Sequence, residues 1–568
     1  MKTLKDYQSQ VAANLFTHDA GLQKVLTYFF KPAEYDRLQT VLRHWEEKLA
    51  SWDVLASEAA RPEKLPRLNK YDRVGRCIEE VILPLETQTI RREVVKTGIF
   101  SNASETEKFA KITLLAQIGE AGVTCPLACT DGLIRVIAAQ GDDALKKTYL
   151  LLLQSMEFPL AGAQFITEQA GGSDVGAIEG VARPVGDGTY RLFAEKWYCS
   201  AVDRFFLVAA RPEGAPSGTD GVAIFFVPRT IREEGVEVVN SLSIKRLKDK
   251  LGTQSLPTAE IDFEGALAYP IGNPDDGFKN LMDYVLNASR LHNAANALGF
   301  HRRAFAEARN YAEQRGAFGK NIIEFPLVQQ MLVSLLAKLT GRRNLFFASL
   351  KEIDKHGFLP TNNEQRLWQR FLVNMNKYRT ASELTERVKE AILVFGANGI
   401  IQDFSILPRL LRDAMIVETW EGTHNILCLQ IMRDASRFDF WGRVNGLLDK
   451  ILQDWPETVL PKARALYLTA RKRGAEMISP EQLKQPGWLQ RHARRIVDVY
   501  ASLLEVGNLV RQGVKQDDAG TLVMASYLVH ETFGDILNGF VNPVIEALPE
   551  VGLALIREEI VKVDLKRF

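Results

Sequence analysis

Two carboxylates, Glu418 and Glu421, flank a Thr-Trp pair in the stretch ETWEGTHNI, residues 418–426, and Gly422 and Thr423 follow the second at once. A carboxylate beside a glycine can be held by backbone alone against a flat cofactor, where it serves as a general base. A charged helix end broken by a glycine accounts for the same letters. Four other stretches carry comparable potential. ITEQAGGSDVG, residues 166–176, gathers Thr167, Gly172 and Ser173, whose hydroxyls and closely approaching backbone N–H groups suit an anionic or carbonyl-bearing ligand, as they would a plain small-residue turn. In EKWYCS, residues 195–200, one of Trp197 and Tyr198 can stack on a ring while Ser200 donates to its edge, although strand aromatics more often pack in a core. Arg315, in EQRGAFGK at 313–320, reads as a phosphate clamp or as a solvated arginine. VFGANG, residues 394–399, offers a close backbone approach or a helix C-cap. Cys125 and Cys129 have no Cys or His pair near them in sequence to complete a zinc set, so a buried structural role is expected and no metal site.

These residues need elements to hold them. From residue 1 to about 158 apolar positions recur at three and four spacing, as in Ile112, Leu115 and Ile118, which predicts an α-helical domain. Between 159 and 275 the runs YRLFAEKWYCS, RFFLVAAR, GVAIFFVPR, VEVV and AEIDF, separated by turns such as GDG, predict an antiparallel sheet or barrel. The helical period returns over 276–436, with Leu281, Val285, Ala288, Leu291, Ala295 and Leu298 on one face. A further helical domain is expected over 437–568. The fold class is therefore α+β multidomain, in the order α, β, α, α.

The bulk properties exclude several classes. With 71 Lys+Arg against 70 Asp+Glu, the chain has no global attraction to nucleic acid or anionic membrane. Residues 441–568 hold 17 Lys+Arg against 16 Asp+Glu, which argues against a DNA platform despite KARALYLTARKR at 462–473 and RHARR at 491–495. Five cysteines spread over 568 residues fit a reducing compartment. The N-terminal stretch does not read as a secretory signal, no transmembrane segment is expected, and the expected localisation is cytoplasmic.

Taken in order, TEQAGGSD, KWYCS, EQRGAFGK, VFGANG and WEGT resemble the signature stretches of the acyl-CoA dehydrogenase family of flavoenzymes, over roughly residues 100–435. Gln169 stands where that family usually has proline, and Pro326 where many members have a glutamine that touches FAD. RLKDKLGTQS at 246–255 and LPRLLRDAMIVETWEGTHNILCLQIMRDA look closest to the AidB-like, alkylation-response branch, which also has a long N-terminal helical region and an added C-terminal helical domain.

The resemblance implies an N-terminal helical domain, a middle β-barrel, a four-helix bundle and an extra helical domain. It implies FAD-dependent α,β-dehydrogenation of an acyl-CoA thioester, with Glu421 taking the α-proton and the β-hydride passing to flavin N5. Cofactor contacts carry over to Thr167, Gly172, Ser173, Tyr198, Ser200, Thr423 and Asn425. Arg315, Phe318, Gly396, Ala397 and Gly399 would serve the FAD of a neighbouring subunit, so a homodimer or homotetramer is expected. Arg290, Ser173 and Gly422 are the implied substrate contacts. Electron-transfer flavoprotein is the implied electron acceptor. The runner-up is a flavin-binding alkylation-response protein that associates with DNA and turns over little substrate. Glu421 is expected at a helix start, and Glu418 as an ordinary charged residue.

Overall fold

The computed structural model describes residues 4, 7, 9, 11–102, 104–534 and 542–568. The chain divides into two compact units, one made of residues 1–50, 104–119 and 293–568, the other of 51–103 and 120–292.

The second unit is built on eleven strands. A hairpin of β1 (Arg67–Tyr71) and β2 (Cys77–Ile82) interrupts the stretch expected to be wholly helical. Its turn is fixed locally, because the Asp72 carboxylate accepts from the N–H groups of Val74 and Arg76. The strands β3 (Gly162–Phe165), β4 (Val181–Pro184), β5 (Tyr190–Ser200), β6 (Phe205–Pro212), β7 (Ala223–Pro228), β10 (Leu242–Leu247) and β11 (Thr258–Pro270) form one sheet, and β8 (Thr230–Glu233) pairs with β9 (Val236–Val239).

That sheet runs β10-β11-β5-β4-β6-β3, and β7 pairs with both β6 and β11, which closes β11-β5-β4-β6-β7 into a barrel. The barrel is not purely antiparallel: β3 and β4 both run parallel to β6. Phe205 through Ala210 and all of β7 are buried, so both strands are covered on two faces, the environment that near-continuous apolar runs require. The Ala121–Gln140 helix supplies one cover, with Leu133, Ile134 and Ile137 in the same cluster as Phe205, Leu207, Ile224 and Phe226. Each fully buried Phe or Leu there contributes about 2–3 kcal/mol. This helix is the one among the described residues long and apolar enough to cross a membrane, a length the residue count along the sequence missed because Asp131 and Arg135 interrupt it. It is a core helix: 83% of its apolar window is buried.

The first unit is helical, with long helices at Pro326–His356, Asn363–Ala381, Leu384–Phe395, Leu407–Thr419, His424–Arg437 and Pro486–Gln516. One apolar core runs from Ala297 to Phe568 without a break. The helices beyond residue 437 share it with the bundle before them, and polar cross-links reinforce the join: Arg379 donates to the Glu505 carboxylate at 2.8 Å and to the Ser502 hydroxyl at 3.0 Å, and Tyr378 donates to Asp498 at 2.9 Å.

Candidate active site

In the barrel unit, the loop carrying Gly172 and Ser173 is tied down at both ends by one carboxylate. Glu168, buried, accepts from the N–H of Glu179 at 2.6 Å and of Gly180 at 3.2 Å, and pairs with the Lys196 ammonium at 2.5 Å. Lys196 is fully buried and also donates to the Ile166 carbonyl at 3.1 Å. Burial pushes the Lys196 pKa down, against the pull of Glu168. Gly180 is required here, because a Cβ would stand 2.6 Å from the Ala194 Cβ and 2.7 Å from the Glu168 carboxylate. Between these anchors Gly172 and Ser173 are exposed. A Cβ on Gly172 would lie 3.3 Å from the Thr167 methyl, so the glycine keeps the Thr167 hydroxyl approachable.

The same loop is stitched to β5. The Trp197 N–H donates to the Thr167 carbonyl at 2.9 Å, which sets Thr167 beside Tyr198, whose ring is 55% exposed. Ser200 and Thr258 share a hydroxyl hydrogen bond at 2.9 Å across the β5–β11 register. Lys248 lies 3.5 Å over the Trp197 ring and is held at 2.6 Å by Glu260. The hydrogen bonds from Arg246 and Lys248 hold the Glu260 carboxyl down at about 2. Lys250 closes the RLKDKLGTQS turn by donating to the carbonyls of Thr253 and Leu256. Gln169, at the unusual position, donates to Glu195 at 2.5 Å on the rim of a cleft of about 310 Å³. Arg290 is buried on the first turn of the Asn287–Gln314 helix.

In the helical unit, Glu421 lies in the link between the Leu407–Thr419 and His424–Arg437 helices. It does not lie at the expected helix start: the next helix begins three residues later, at His424, because the left-handed backbone at Glu421 and Gly422 cannot continue into a helix. Its φ is +58°, a left-handed conformation that costs a non-glycine residue about 1 kcal/mol or more, and Gly422 follows at φ +97°. The surroundings impose it. The Lys377 ammonium, fully buried on the Asn363–Ala381 helix, donates to the Gly422 carbonyl at 2.9 Å and the Glu418 carbonyl at 3.3 Å, one on each side of Glu421.

Glu418 is not an ordinary surface charge. Its carboxylate accepts from the Thr385 N–H at 2.8 Å and faces His424 Nε2 at 3.4 Å. Burial pushes its pKa up, and the hydrogen bonds from His424 and Thr385 outweigh that and hold it below the usual carboxylate range. Thr423 and Asn425 are exposed, and the Thr423 side chain makes no cap bond to the helix it precedes.

Arg315 and Phe318 lie on a short hairpin after the Asn287–Gln314 helix; Arg315 is half-buried, and the Phe318 ring is 97% exposed at φ +48°. Gly396 and Ala397 are exposed, and Gly399 is buried with no room for a Cβ beside the Ile392 carbonyl. Asn398 donates to the Tyr311 hydroxyl at 3.1 Å, and the Arg315 N–H donates to the Tyr311 carbonyl, so Tyr311 gathers the 396–399 turn and the Arg315 hairpin at one end of that helix. Among the described residues, no group of three or more His, Cys, Asp and Glu side chains is placed to hold a metal.

Sequence reasoning missed Glu168, Lys196, Lys248 and Lys377. The signal for the lysines was a cation at an inward position: Lys196 among alternating strand residues, and Lys377 on a helix face with Val373 and Ala381.

Residues 163–266 match the acyl-CoA dehydrogenase middle domain and residues 275–436 its C-terminal domain. Acyl-CoA dehydrogenase family member 11 of Caenorhabditis elegans is 30% identical over 454 residues, 77% of this chain and 72% of that one. The chain belongs to the acyl-CoA dehydrogenase family of oxidoreductases. Within it, the putative acyl-CoA dehydrogenase AidB of Escherichia coli K12 is 30% identical over 390 residues, 65% of this chain and 69% of that protein, in keeping with the AidB-like features of the sequence. The crystal structure of C. elegans ACDH-11 in complex with C11-CoA superposes with a TM-score of 0.82 at 25% identity, covering 95% of each chain.

The family cofactor is FAD, and the residues present fit it. The 167–173 segment leaves hydroxyls and backbone donors open where a Cβ at Gly172 would crowd them, and Tyr198 presents an exposed ring beside them.

Proposed function

We propose that this chain oxidises an acyl-CoA thioester between its α and β carbons, with Glu421 as the base that removes the α-proton. The observation that carries the reading is the held geometry of Glu421, a carboxylate fixed in a left-handed link with its two flanking carbonyls tethered. Thr167, Gly172, Ser173, Tyr198, Ser200, Thr423 and Asn425 would hold FAD, and Arg315, Phe318, Gly396, Ala397 and Gly399 would complete the site of a second copy in a homodimer or homotetramer. When bound, FAD supplies the acceptor for the β-hydride. Arg290, Ser173 and Gly422 would contact the substrate.

The α-proton of a thioester is too weakly acidic for an unaided carboxylate. The Glu421 N–H is the chain's donor to the thioester oxygen, where negative charge grows as the proton leaves, and one such donor contributes about 3–4 kcal/mol. The residues thus divide the work: the side chain of Glu421 takes the proton and its backbone steadies the charge left behind. Electron-transfer flavoprotein is the proposed acceptor of the electrons, and the cytoplasm the proposed location.

The test is an anaerobic screen of acyl-CoA thioesters against the purified yellow protein. A matching thioester bleaches the flavin, and Glu421→Gln lowers the reduction rate about 10²- to 10⁴-fold while FAD stays bound. No bleaching by any thioester overturns the proposal. The second reading, a flavin-binding response protein on DNA, draws on the exposed cations Lys472, Arg473, Arg491, Arg494 and Arg495 of two neighbouring helices. It requires duplex binding that weakens steeply with salt.

A further inference from the structure

We propose that Lys377 is a positioning residue for the base, acting through the backbone on either side of Glu421; the inference rests on the assignment of Glu421 above. The Leu407–Thr419 helix ends one residue before Trp420 and the next helix begins at His424, so the Glu421 link lies outside both helices. Lys377 joins the two helix ends across it. Its Nζ reaches the Glu418 carbonyl, an acceptor in the last turn of one helix, and the Gly422 carbonyl, just before the other, and spans the base between them. A fully buried ammonium is expensive unless its donors are used, which makes this contact far more directional than a surface lysine's.

The bracket is itself fixed from outside. On the same helix the Tyr378 ring stands edge-on to His424 at 5.6 Å, and its hydroxyl donates to Asp498. Arg379 is locked to Glu505 and Ser502. The Glu418 side chain ties the same turn to the Thr385 N–H. Lys377 therefore pulls from a rigid helix, and what it holds is a backbone that a glutamate does not adopt unaided. A shift of about an ångström in a base costs orders of magnitude in rate without touching binding.

The experiment is a double-mutant cycle read by anaerobic stopped-flow flavin reduction, with the best thioester from the screen, on the flavin-loaded parent, Lys377→Met, Lys377→Arg, Glu421→Gln and Lys377→Met/Glu421→Gln. Lys377→Met is expected to lower the limiting reduction rate about 10- to 100-fold, with less than about a threefold change in thioester dissociation constant and with FAD content retained. Lys377→Arg, which keeps a cation with several donors, recovers most of that loss. The double variant is expected to be no slower than Glu421→Gln, because a residue that works only through the base has nothing left to position.

A parent-like rate in Lys377→Met overturns the proposal, and so does a loss of the same factor in both backgrounds, which marks general damage. If Lys377→Met does not fold, the cycle is read with Lys377→Arg: a loss of a few-fold confined to the Glu421 background supports the proposal, and an equal loss or none in both overturns it. A Glu421→Gln protein that reduces at the parent rate refutes the base assignment itself, an outcome separate from all of these.

Discussion

Glu418 and Glu421 stand three residues apart and have opposite environments. The first binds Thr385 and His424 through its carboxylate; the second stands on a left-handed link. Glu418→Gln keeps an acceptor for Thr385 and loses the charge that favours His424, so a loss of about 1–2 kcal/mol in stability is expected, with less than about a tenfold change in flavin reduction rate. Thermal melting and stopped-flow on the same preparation check both halves. Lys196 and Glu168 make a harsher pair. Lys196→Met leaves a buried carboxylate with its cation removed, which costs about 3–5 kcal/mol, whereas replacing both partners by apolar residues recovers most of the melting temperature. The double variant still lacks the carboxylate that ties Gly180 and Glu179, and its FAD retention is expected to stay weak, as measured by flavin released on gel filtration.

At the scale of elements, the cationic clusters set the acid limit. Glu260 and Glu383 are both held at about 2, the first by hydrogen bonds from Arg246 and Lys248, the second by Arg342 and Arg387 against the opposing effect of burial. A carboxyl depressed in the folded state stabilises above its unfolded pKa, near 4.5, and that contribution drains away as the pH falls towards 2. Asp203 works in the opposite sense, since burial raises its pKa and its protonation on acidification relieves the fold. Two carboxyls at about 2 outweigh it, and burial also holds His301 and His530 below the usual imidazole range, so their unfolded forms take up protons first; urea midpoints should begin to fall below about pH 6.5 and fall further below 4.5. Much at this scale was legible beforehand. Alternation and turn residues located the barrel strands between 159 and 275, because a half-buried strand writes its two faces into successive residues. The β1–β2 hairpin was not legible, since RLNKY is short and mostly polar and CIEEVI is short with two glutamates at its centre that break any alternation. Nor were the parallel pairs of β6, because strand direction depends on partners brought together from afar. Signature residues were readable from their types; the lysines and carboxylates that hold them were not, since nothing local marks which cation is buried.

For the molecule as a whole, the helices after residue 437 are structural members of the first unit. Val497, Tyr500, Leu504 and Val510 share a core with Leu332, Phe371 and Ile431. Removal of residues 441–568 is expected to yield insoluble protein or a first unit without cooperative unfolding, far beyond any change in DNA affinity; expression yield and calorimetry of the truncated chain decide it. Another tie reaches further still. Glu558 accepts from the Gly21 N–H across 537 residues and pairs with Arg302, while buried Asp19 lies between Arg302 and Arg343. A ribosome adding about 5–20 residues each second needs roughly 30–100 s to make that span. The first helix, Ala20–Phe29, lacks its glutamate for all of that interval and lacks its arginines until Arg302 and Arg343 are made, and in that earlier part its apolar face of Leu22, Val25 and Leu26 waits for its partners. The first helix made is thus among the last to be completed, an order of assembly that leaves it exposed to solvent while the chain grows.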